Sequence, residues 1–187
     1  MAQIKLNATY GLTGTLPAVS GANLTTLNAT NISSGTLNSA RYTAGGVIKQ
    51  QTRTEETDTD YEGTTSTSFV SVSGYSVVIT PQASDNIIKV MFFMGRAYAS
   101  HTNYLHFAIQ RQISGGSNTS FHAGDSIASL HSSSDTSHSP ITLMLMDTDY
   151  GTTSEITYQL FMKTSASTSY ANHQDSYFNA YAEEMEL

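Results

Sequence analysis

Residues 87–98 read IIKVMFFMGRAY. Every second position, Ile88, Val90, Phe92 and Met94, is apolar, which is the period of a strand with one face in a core. The other face, Lys89, Met91 and Phe93, is apolar in part. A strand wet on one side alternates cleanly, so this one predicts either a covering loop or a second buried face. Working outward, the same period returns at Leu105, Phe107 and Ile109 and at Ile156, Tyr158, Leu160 and Met162. Short apolar runs lie at Phe69–Val72, ended by Gly74, at Tyr75–Thr80, stopped by Pro81, and at Ile141–Met146, which is again apolar on both faces. A last strand is expected near Tyr177–Leu187, and residues 55–63 read as an acidic, exposed connection. Seven or eight strands without a helical period predict an all-β fold: an antiparallel β-sandwich, jelly-roll-like.

The start of the chain is different. All fifteen Asp and Glu lie from Glu55 onward. Small or apolar residues recur every five positions at Leu12, Pro17, Ala22, Leu27, Ile32, Leu37 and Tyr42. A step of five fits neither helix nor strand and predicts an extended, repeat-like segment that packs on something else. Ala44-Gly45-Gly46 reads as a hinge. The expected division is therefore an attachment or linker segment, residues 1–46, and a sandwich head, residues 47–187. Leu12, Leu27, Ile32, Leu37 and Tyr42 are the candidate attachment or oligomer contacts.

Composition excludes several classes. The chain of 187 residues is only 12% charged, with a net charge of −7 and eight scattered Lys and Arg, so no basic stripe offers itself to nucleic acid. There is no cysteine, which removes disulfides and zinc–thiolate sites. No run of 18 apolar residues predicts a membrane span, and residues 1–10 have no apolar core of a secretory signal. The Asn-x-Ser/Thr triplets at Asn7, Asn23, Asn28, Asn31 and Asn118 follow from abundant Asn, Ser and Thr.

Catalytic and metal-site patterns are missing. The six histidines form no His-x-His or His-x-x-x-His pair, and five fall in expected loops. Asp58 to Gly63 copies half of a calcium loop, but Phe69 stands where the bidentate Glu belongs. Asp147-Thr148-Asp149 reads as an Asp-rich turn. No Gly-x-Ser-x-Gly elbow occurs, and no spacing selects a carboxylate pair. The expectation is no enzyme, no metal and no cofactor. Aromatic loop residues are more suggestive. Tyr98, Tyr104 and Tyr170, with His101, Asn103, His173 and Gln174, are the candidate ligand-binding set, because Tyr rings add contact area at low entropic cost and amides fix orientation.

GLTGTLP at residues 11–17 and LNATNISSGTLNSARY at 27–42 resemble the linker repeats of tail-fibre and appendage proteins of tailed bacteriophages. Residues 47–93, with their Val-Ile-Lys-Gln opening and Ile-Thr-Pro stop, resemble the start of a small β-domain found at the C-terminus of such fibres. The resemblance implies a homotrimeric appendage on the virion exterior. Its N-terminal segment would dock to capsid or tail proteins, and its heads would face a host-surface glycan or protein. The tail is short for a shaft, which suits a head fibre. A capsid decoration or cement protein is the alternative, and a secreted carbohydrate-binding module the second.

Overall fold

Strands dominate, and no helix occurs among the described residues. The structure, a computed structural model, describes residues 48–58, 62–120, 126–133, 135–173 and 176–186, all within one compact unit, Tyr42–Leu187. The predicted attachment residues Leu12, Leu27, Ile32, Leu37 and Tyr42, and Gln174 of the ligand set, lie outside the described residues.

The strands are β1 Ile48–Asp58, β2 Glu62–Thr64, β3 Val70–Ile79, β4 Ile87–Ala99, β5 Asn103–Ile113, β6 Thr119–Ser120, β7 Ala128–Ser132, β8 Ser137–Asp147, β9 Ile156–Thr164, β10 Ser169–Asn172 and β11 Ser176–Met185. In one sheet β1 and β2 pair with β11 and β10, these pair with β4, and β4 pairs on its other side with β8. In the other, β3 pairs with β9, β9 with β5, and β5 with β6 and β7. All pairings are antiparallel. Taking β1/β2, β6/β7 and β10/β11 as single rows gives eight rows, ordered first, eighth, third, sixth in one sheet and second, seventh, fourth, fifth in the other. That order is a jelly roll, two sheets sharing one core.

The core is where the alternation put it. Ile88, Val90, Phe92 and Met94 of β4 are fully buried, as are Leu105, Phe107 and Ile109 of β5 and Ile156, Tyr158 and Leu160 of β9. Phe178 of β11 ties the layers, its ring 3.9 Å from that of Tyr75 and 6.0 Å from that of Phe92. Each such large apolar side chain contributes about 1.5–3 kcal/mol on burial. Glu184, completely buried, pins the connection after β3: it accepts from the backbone N–H of Gln82 (2.8 Å) and Ala83 (3.1 Å) and from Asn86 Nδ2 (2.8 Å).

Several expectations are corrected. Glu55–Asp58 belong to β1, in register with Asn179–Ser176, and are not a connection. The two short runs around Gly74 are one strand, β3, with an irregular register between Ser71 and Ser76; Gly74 takes φ 75°, open to glycine at little cost. Strands β7 and the first half of β8 carry Ser, His and Pro, so their hydrophobic period is faint. Pro140 is tolerated because β8 is an edge strand, where a missing N–H breaks no ladder.

Strand β4 is central, yet no loop among the described residues covers its second face. Met91 and Phe93 are half-buried there. They pair with Met144 and Thr142 of β8, and Lys89 with Met146. Met144 and Met146 are 61% and 45% exposed, and Tyr177 is 59% exposed on β11. The patch ends at an ion pair between Lys89 and Glu183, whose Oε2 also accepts from Tyr181 (2.7 Å).

Candidate functional site

The alternation of β4 breaks at Gly95-Arg96. Met94 points into the core, and so do Ala97 and Ala99, with two residues rather than one between the runs. The register against β8 shifts at the same place, between Met94↔Ile141 and Ala97↔Ser139. This is a β-bulge, a device that re-aims side chains. It turns Tyr98 outward, between His138 on β8 and Tyr170 on β10. Gly95 suits the position: a Cβ there would strike the Ser176 hydroxyl and stand 3.2 Å from the Tyr177 carbonyl oxygen. Gly63 does the same for Tyr170, whose ring lies where a Cβ would go, 2.5 Å from Cε1.

Four rings gather there. His173, just past β10, stacks on Tyr98 with centroids 4.7 Å apart and planes at 13°. His138 and Tyr170 meet Tyr98 at 4.9 and 5.5 Å, and His173 lies 5.1 Å from Tyr170 and 5.3 Å from His138. Arg96 Nε donates to His138 Nδ1 at 3.2 Å. A ring nitrogen that accepts carries no proton, so the neutral ring holds its proton on Nε2 and presents a donor outward.

Both histidines are held below the ordinary imidazole value. For His138 the causes are burial and then Arg96; for His173 they are burial, then His138, then Arg96. A depressed folded value means the unfolded chain takes up protons first as pH falls. Stability from this cluster is therefore whole above pH 6.5 and declines below it. Urea midpoints measured on both sides of pH 6.5 should show that decline, and the double variant His138→Gln/His173→Gln should flatten it. An unchanged slope in the double variant would remove the cluster as its source.

The predicted ligand set is thus divided. Tyr98, Tyr170 and His173 come together, though Tyr98 and Tyr170 stand on strands and not in loops. Tyr104 is on the outer face of the other sheet. It stacks on His131 at 4.1 Å and His106 at 5.8 Å, a three-ring row of its own. His106 is pushed down by burial and by Lys163. His101 sits in an exposed turn, its Nε2 3.6 Å from Asp135 Oδ1.

Asn103 is not a surface residue. It is fully buried. Its Nδ2 donates to Thr164 Oγ1 (2.6 Å), Ser167 O (2.8 Å) and Ser169 Oγ (2.8 Å). Its Oδ1 accepts from the Ser165 hydroxyl (2.7 Å) and the Ala166 N–H (2.9 Å). With every position filled by its own chain, the amide shapes the β9–β10 turn and has nothing left for a ligand.

Sequence reasoning missed Arg96 and His138. The break in alternation at Gly95-Arg96 was the available signal for the first. For the second, a Ser/His/Pro stretch did not read as a strand.

At the other end of β8, Asp147 lines a hollow with Arg111, Thr119, Ser120, Met146, Thr148 and Asp149. Its oxygens are already engaged, by Arg111 Nη1 (2.8 and 2.9 Å) and the Tyr158 hydroxyl (2.7 Å). Burial and that hydrogen bond hold the Tyr158 phenol far above its usual range, so it stays a donor. The arrangement is a strut between the sheets. Among the described residues no three His, Asp or Glu side chains converge as metal ligands, and no helix is long and apolar enough to cross a membrane.

Comparison of the chain with models of known protein families and with curated proteins gives no match.

Proposed function

We propose that the chain is a structural subunit of a bacteriophage virion. Three copies form a fibre- or spike-type appendage on the particle exterior, residues 1–46 hold it to capsid or tail proteins, and the jelly-roll heads adhere to the host surface through a glycan. It binds and assembles; it does not catalyse.

The observation that carries this reading is the uncovered apolar face of β4 and β8. Met91, Phe93, Met144 and Met146 lie on the side of the sheet that faces away from the core. Contiguous exposed apolar surface on a small domain marks a contact with another molecule. A second copy of this chain is the natural occupant, because each copy carries the same patch and association removes it from water. The threefold order comes from the resemblance of residues 11–42 to fibre linkers. Adhesion through three heads raises avidity about a hundredfold or more over one weak site.

The variant Met144→Glu/Met146→Glu tests the assembly. Both side chains are exposed on an edge strand, so the fold should lose no more than about 0.5 kcal/mol per change. Two carboxylates in a buried contact are poorly tolerated, so the assembly should fall to folded monomers of unchanged circular dichroism. Assembly that persists in the variant would place the contact elsewhere.

A further inference from the structure

The bulge in β4 leaves a cation on the outer face. Arg96 is half-exposed, its Nε is engaged by His138, and no carboxylate pairs with it among the described residues. Its terminal nitrogens and His138 Nε2 are all donors. The rings of Tyr98, Tyr170 and His173 pack beside His138. Across the β4–β11 pair, Tyr177 packs its backbone against Gly95 and exposes its ring. So one small area holds a positive charge, aimed donors and no competing acid among the described residues, with rings beside His138 and Tyr177 on the neighbouring strand.

We infer that this surface binds a carboxylate-bearing sugar. The two terminal nitrogens of Arg96 take the two carboxylate oxygens, and His138 Nε2–H donates alongside. The apolar C–H face of the sugar ring lies on the Tyr177 side. A guanidinium fork matches a carboxylate in plane and spacing, which a point charge would not. Tyr rings supply area for the sugar with only two torsions to freeze. The rigid parts are set in strands, and the Arg96–His138 hydrogen bond fixes both partners before the ligand arrives. Burial is the first cause of the lowered histidines and the nearby Arg96 charge adds to it; an arriving anion would relieve that second part.

This inference rests on the adhesion reading and narrows it from glycans in general to acidic ones. The test uses the full chain and three probes: a glucuronate-containing oligosaccharide, the same oligosaccharide with its carboxyls reduced to alcohols, and a short glutamate peptide. Binding is followed through the ring protons of His138 and His173 by NMR. The glucuronate oligosaccharide should bind in the millimolar range and move both signals. The reduced form and the peptide should each bind at least about tenfold more weakly. Arg96→Gln should bring the acidic sugar down to the level of the reduced one. Equal binding of acid and reduced forms, or indifference to Arg96→Gln, would overturn the acidic preference and leave adhesion standing. A peptide that binds as well as the sugar would overturn the sugar assignment. If no oligosaccharide of either kind binds, and particles lacking the protein still adsorb to cells, the adhesion reading fails with it.

Discussion

Asp147→Ala is expected to destabilise the sandwich by about 3–5 kcal/mol, the cost of removing one partner from a buried charge pair. Asp147 is 2% exposed at the end of β8, in one sheet; Arg111 is 11% exposed on β5, in the other. Their contact is bidentate at the carboxylate, and Tyr158 on β9 completes it from below. The pair therefore joins the two sheets at one end of the core. Without the carboxylate, a guanidinium remains buried beside a phenol that has lost its acceptor. The hollow that Arg111 lines with Thr119 and Ser120 is the route by which water reaches them. Urea unfolding followed by tyrosine fluorescence measures the loss directly. Coupled substitution sharpens the result: Asp147→Ala/Arg111→Met should recover a large part of it, because the stranded charge is gone and apolar volume takes its place. A single-variant loss below about 1 kcal/mol would show the pair to be well solvated in the folded state, as surface pairs are.

Asn103→Ala should cost about 2–4 kcal/mol. The amide satisfies the Ala166 N–H, the Ser165 hydroxyl, the Ser167 carbonyl and the hydroxyls of Thr164 and Ser169. Each buried group left without a partner costs about 1–3 kcal/mol, and water entering the small void relieves part of that. The consequence is local as well as global. The β9–β10 turn carries the chain from one sheet to the other and delivers Tyr170 to its place against Gly63 and Tyr98. Hydrogen exchange over residues 165–170 should accelerate in the variant even where it remains folded, while exchange in the middle of β5 tracks only global stability. Protection at 165–170 equal to that of the unmodified protein would mean that the turn holds without the amide.

The same residue shows where sequence reading reached its limit. Beside Tyr104 and near His101, an asparagine looks like a ligand contact. The chain gives no local sign that Thr164, Ser167 and Ser169, more than sixty residues on, come round to enclose it. The Arg111–Asp147 strut was hidden for the same reason, since its ends are 36 positions apart and Asp147 read as part of an acidic turn. Alternation, by contrast, is local. It placed Ile88 to Met94 in the core and flagged the greasy second face of β4 and β8, because inside and outside are written into adjacent residues. It lost the thread wherever the sheet departed from period two. At Gly95-Arg96 the bulge shifts the phase by one residue, and at Gly74 it made one strand look like two. Where β7 and β8 carry Ser and His, burial is partial and the contrast between faces disappears. The gathering of Tyr98, Tyr170 and His173 was within reach as a list of aromatics; that Arg96 and His138 join them depends on which strands are neighbours, and jelly-roll order is a property of the whole chain.

In the proposed appendage, copies of this chain assemble through the outer face of β4 and β8. Sedimentation equilibrium of the full chain at micromolar concentration decides whether they do. Three copies of 20.1 kDa predict a single species of about 60 kDa, three times 20.1. A species that stays at 20.1 kDa across the whole concentration range would rule that assembly out.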